Sequence, residues 1–131
     1  MSGEADKLDE TFFPILRGDS VGEPGEFSGF VYIVKTPEDL KREWSTDSIA
    51  VLKEELVDHF RENPGDMDAL FEDVSAVIAE FGEPISDLAA VAYAREAICI
   101  VKVADATFVL EDKMHIRVVC TENTGEVFFI D

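Results

Sequence analysis

Short runs of β-branched and aliphatic residues, each cut off by turn formers before it can lengthen, most constrain what this chain can become. Phe30-Val31-Tyr32-Ile33-Val34, Ile49-Ala50-Val51-Leu52, Val74 to Ala79 and Ile98 to Val103 have the length and composition of buried strands. Met114 to Val119 and Val127 to Ile130 flank Glu122-Asn123-Thr124-Gly125, the pattern of two antiparallel strands around a turn. Helical segments fall between the runs. Thr36-Pro37-Glu38-Asp39-Leu40 reads as a helix start, with Thr36 as cap, Pro37 at the first helical position and two acids at the positive end of the dipole. Leu52, Leu56 and Phe60 recur at helical spacing until Asn63-Pro64-Gly65, after which Asp66 can cap a second short helix through Met67, Leu70 and Phe71. Ser86 to Glu96 is an alanine-rich helix. Thr11-Phe12-Phe13-Pro14-Ile15-Leu16 contains a proline and reads as an edge strand at best, and Gly18 to Gly25 as a loop. These elements predict one mixed α/β domain over residues 11–131, preceded by a disordered acidic leader at 1–10 and carrying a helical insertion around 53–72.

Charge narrows the function classes. A net charge of -18 on 131 residues repels nucleic acid, anionic membrane surfaces and free phosphorylated substrates. It suits a solvating acidic shell or, more sharply, an acidic face that docks on a basic partner. No apolar run approaches the ~20 residues that span a bilayer. Met1-Ser2-Gly3-Glu4-Ala5-Asp6-Lys7 has neither a basic nor an apolar region of the signal-peptide kind, so a cytoplasmic location is expected. Cys99 and Cys120 sit in apolar strand-like runs and read as buried free thiols, with a disulfide between neighbouring strands as the alternative. Neither cysteine, nor His59, nor His115 has metal-ligand spacing to another such residue, so neither metal nor cofactor is expected.

Five landmarks in order then resemble a known family. They are Pro24-Gly25-Glu26-Phe27-Ser28-Gly29-Phe30-Val31, Thr36 to Leu40, Asp47 to Leu52, Gly82 to Thr107 with its closing Ala104-Asp105-Ala106-Thr107, and finally Leu110 to Lys113 with Thr124 to Phe128. Over about 110 residues this order resembles the mobile, swivelling domain of phosphoenolpyruvate-utilising enzymes such as phosphoenolpyruvate synthase and pyruvate phosphate dikinase. The resemblance implies a swivelling β/β/α domain, a mixed sheet core with a helix after a phosphohistidine loop. In that family the loop reads roughly G-G-x-x-S/T-H-x-A and its histidine carries the phosphoryl group.

The departures gather at the chemistry. Asp87 stands at the histidine position and Glu83 at the second glycine, while Gly82 and Ser86 are kept. Tyr93-Ala94 replaces the usual Arg-Glu, and Lys53-Glu54-Glu55 with the insertion replaces a threonine- and proline-containing loop. An aspartate can form an acyl phosphate, but that chemistry usually needs a metal and a neighbouring cation. The simpler reading makes Ser86 a helix cap and Asp87 a first-turn acid worth about 0.3–1 kcal/mol. His59 is the alternative acceptor, should the insertion fold over the loop. The sequence thus predicts a degenerate, non-catalytic relative that acts through protein binding, on a nucleotide-binding or pyruvate-barrel domain of another chain. Two alternatives stand beside it: phosphotransfer through an unconventional acceptor, and a small-molecule pocket under the insertion.

Overall fold

In a computed structural model of the protein, residues 14–82 and 87–130 are described. Seven strands close into one barrel in the order β1 (Leu16–Ser20), β5 (Ile98–Val101), β4 (Ala76–Ala79), β3 (Ser48–Leu52), β2 (Gly25–Val34), β6 (His115–Cys120), β7 (Thr124–Phe129). Strands β2 to β5 run parallel to their neighbours, with Val31 opposite Ile49, Val51 opposite Ile78, and Val77 opposite Cys99. The remaining pairs are antiparallel, and β1 closes the ring by pairing with β7 through Leu16 and Val127 and with β5 through Asp19 and Val101.

This closure corrects the fold expected from the family resemblance. The domain is a closed mixed barrel with few and short helices, not a layered swivelling β/β/α domain. The deciding element is β1, read in the sequence as an edge strand followed by a loop. Gly18-Asp19-Ser20 looks like a turn, yet it is strand, because Gly18 lies where a Cβ would come within 2.5 Å of the Val101 carbonyl oxygen. Glycine serves there for close backbone approach, not for turning. With both its edges paired, β1 leaves no open strand in the ring.

Burial follows the ladder. Strand β3 and strand β4 are buried at every position, as parallel strands covered on both faces should be. Alternate residues split between two cores. Val31, Ile33, Ile49, Val51, Ile78, Ile100, Ile116 and Val118 fill the barrel, while Ala50, Leu52, Val77, Ala79, Cys99 and Val101 face outward into a helical layer. That layer consists of α1 (Leu56–Glu62), α2 (Pro64–Asp73) and α3 (Asp87–Ala94). Leu56, Phe60, Met67, Leu70, Phe71, Leu88 and Ala92 pack it onto the strands, so the insertion's apolar stripes are core. Among the described residues no helix covers the β6–β7 half, and β6 alternates buried with half-buried residues.

Local chemistry explains the smaller shifts. Thr36-Pro37 does open a helix, but a 3-10 turn of five residues, Pro37–Lys41. Thr36 is its N-cap, and the Asp39 carboxylate accepts hydrogen bonds from the Lys35 and Thr36 amides at 3.0 and 3.3 Å, the reciprocal half of a capping box. Pro64, read as ending the first insertion helix, instead starts α2, its missing N–H costing nothing at that position. One helix was missed, the single turn α4 (Ala106–Val109), where Ala106 and Leu110 plug the barrel.

Candidate functional site

Gly82 and Asp87, the described ends of the 82–87 loop, lie beyond the C-terminal end of strand β4. Strand β4 runs out through Glu80 and Phe81 to Gly82, whose φ of +107° is a conformation that suits glycine. A Cβ at Gly82 would also press on the Val101 side chain at 3.0 Å. Glu83 and Ser86 lie outside the described residues, and so does the capping role expected of Ser86. Asp87 opens α3 and is exposed.

Glu80 organises this end of the barrel. Its Oε1 accepts a hydrogen bond from the Glu54 amide at 2.9 Å, and its Oε2 accepts from the Thr107 amide at 2.8 Å and the Thr107 hydroxyl at 2.7 Å. One carboxylate thereby ties the start of the insertion and the first turn of α4 to the end of β4. The sequence offered no motif for it, since its partners are 26 and 27 residues away.

The insertion reaches the described ends of the loop, Gly82 and Asp87. A cavity of about 160 Å³ lies between α1, α2 and α3, lined by Val57, Phe60, Met67, Phe81 and Leu88, with Arg61, Gly82 and Asp87 also on its wall. The Phe60 and Phe81 rings sit 6.2 Å apart beside it. Two arginines of the helical layer are paired with carboxylates. Arg61 donates to Asp58 at 2.8 Å. Arg95 donates from Nε and Nη2 to the Asp68 carboxylate at 3.0 and 2.7 Å and from Nη2 to Glu72 at 3.1 Å, bracing α3 against α2. The Arg95 hydrogen bond holds the Asp68 carboxyl below its ordinary range.

His59 is not brought to Asp87. It lines a separate depression with Pro37, Glu38 and Lys41, and its Nε2 is 2.7 Å from the Asp66 carboxylate. His115 stacks on Phe30 with centroids 4.6 Å apart and ring planes at 17°. Trp44 donates its indole N–H to the Leu40 carbonyl and meets Tyr32 edge-on, a packing role. Tyr93, by contrast, is 73% exposed. Its place in an alanine-rich helix gave no signal of this. Both cysteines are free and buried, Cys99 in the helical layer and Cys120 inside the barrel, and burial raises both thiols above their ordinary range. Among the described residues no group of three His, Cys, Asp or Glu side chains could hold a metal ion, and no helix is long and apolar enough to cross a membrane.

No protein-family model matches the chain, and no curated protein does either. Solved structures do match in fold. A chain in the crystal structure of Thermococcus kodakaraensis aconitase X (holo-form) aligns with a TM-score of 0.55 at 17% identity, over 86% of this chain and 97% of that one. The microcin C7 self-immunity protein MccF aligns with a TM-score of 0.51 at 11% identity, over 88% of this chain but 41% of that protein. A diol dehydratase-reactivating factor gives 0.49 at 13% identity, over 79% of this chain and 19% of that one. At such identities the likeness is one of fold alone.

Proposed function

We propose that this barrel is a non-catalytic module that works in the cytoplasm by binding another protein, its loop sequence resembling a phosphohistidine loop that has lost its acceptor. The observation that carries this reading is the electrostatic state of the loop. Phosphoryl transfer needs a nucleophile with cations aimed at the incoming charge. Here the acceptor position is an exposed carboxylate at the head of α3, and two arginines of the helical layer, Arg61 and Arg95, are bonded to Asp58, Asp68 and Glu72. Asp87 meets the positive end of its own helix, so an arriving phosphate finds its complement already neutralised.

A second reading, a small-molecule site under the insertion, is favoured by the cavity itself. About 160 Å³ with largely apolar walls would admit a ligand of roughly benzene size.

The test is incubation with labelled phosphoenolpyruvate or ATP in a lysate of the native cells, followed by a search for acid-labile and hydroxylamine-labile label. The module reading expects none on this chain. Label that disappears in Asp87→Asn or His59→Ala would overturn it in favour of an unconventional phosphoacceptor.

A further inference from the structure

Helix α3 is apolar almost all the way round, which is the pattern of a helix with no face left to water. Leu88, Ala89 and Ala92 are buried against the barrel layer, yet Ala90, Tyr93 and Ala94 on the other side are exposed. Tyr93, 73% exposed, thus forms with Ala90 and Ala94 a continuous apolar face open to contact. Acids ring the face: Asp87 at its head, Glu96 just past its end, and Asp68 and Glu72 along the α2 side, where Arg95 supplies one positive charge against two carboxylates. The whole chain carries -18.

We propose that the exposed face of α3 docks an amphipathic helix of a partner protein, one with aliphatic side chains along its centre and lysines or arginines at its edges. This deepens the partner-binding reading and rests on it. Charge selects the occupant. A basic rim meets the carboxylates around Tyr93, whereas an anionic membrane and a second copy of this acidic chain would both be repelled. Residues 1–13 of the chain itself carry four acids and one lysine, so they suit the face poorly as well. The aromatic ring would act as the buried anchor and the acids as the steering rim.

The probe is a synthetic helical peptide of leucines and lysines, titrated onto the full chain by calorimetry. Two control peptides accompany it, one with serine for every leucine and one with glutamate for every lysine. One-to-one binding of the first peptide alone is expected, weakening as salt is raised. Tyr93→Ser and Ala94→Lys should each reduce it at least tenfold with unchanged circular dichroism, and Phe108→Ser, a change at a side chain 86% exposed on α4, should not. Tetranitromethane should nitrate Tyr93 in the free protein and not in the complex. Equal binding to Tyr93→Ser places the partner elsewhere and overturns this surface while leaving the partner-binding reading intact. Equal binding of the serine peptide reduces the effect to non-specific charge, and protection of Tyr93 in the free monomer means the chain covers its own face; either result also overturns the proposal.

Discussion

Removing the Glu80 carboxylate should unfasten the end of the barrel where the helical layer begins. Glu80→Ala takes the acceptor from two backbone amides, Glu54 and Thr107, and from the Thr107 hydroxyl. The two bonds to Thr107 are partly buried, and a hydrogen bond to a charged group contributes about 1.5–3 kcal/mol. The bond to Glu54 is exposed and adds little. Taking the lower end for both partly buried bonds, the loss is about 3 kcal/mol, a large part of the ~5–15 kcal/mol that holds a domain together. Glu80→Gln keeps one carbonyl oxygen and should lose roughly half as much. Urea unfolding followed by circular dichroism reads both values. Hydrogen exchange adds the local signature, in which the Thr107 amide should lose protection before the strand amides of β4 do. A Glu80→Ala variant within about 0.5 kcal/mol of wild type, with Thr107 still protected, would refute the idea that this carboxylate fastens the two segments.

Phe60, 3% exposed between the insertion and the barrel, should cost about 3 kcal/mol as Phe60→Ala in the same urea assay, the low end for such a change because it only enlarges an existing cavity. Arg95 depresses the Asp68 carboxyl, so that pair contributes stability above the unfolded carboxyl value and loses it as pH falls through the lower folded one; the stability gap between wild type and Asp68→Asn should therefore close below about pH 4 in an acid titration. Cys99 and Cys120 should both resist a thiol reagent in the native protein and both react in denaturant, with no disulfide in either state.

Local pattern carried most of the elements but not their closure. The apolar runs at 30–34, 49–52, 74–79 and 98–103 contain strand, because parallel strands buried on both faces need an unbroken apolar sequence. The terminal hairpin was legible in the same way, with Ile116 opposite Phe129. What decides the architecture is β1, whose partners β5 and β7 are far away in sequence and whose Gly18-Asp19-Ser20 imitates a turn. No local signal reports a pairing of that range. At the site, the position of Gly82 at the end of β4 and of Asp87 at the start of α3 could be read directly. Glu80 could not, because a glutamate's role as a three-bond acceptor depends on Glu54 and Thr107 arriving from two other segments. Nor could Tyr93, since an alanine helix shows no periodicity by which to tell its wet side from its dry one.

On the proposed reading, the loop between β4 and α3 does not receive phosphate. An amide-resolved titration tests it most directly, with inorganic phosphate and then phosphoenolpyruvate added to isotope-labelled protein while the Gly82, Asp87 and Leu88 resonances are followed. The account predicts no saturable shift at any of the three. A saturable shift confined to them, abolished by Asp87→Asn, would contradict it.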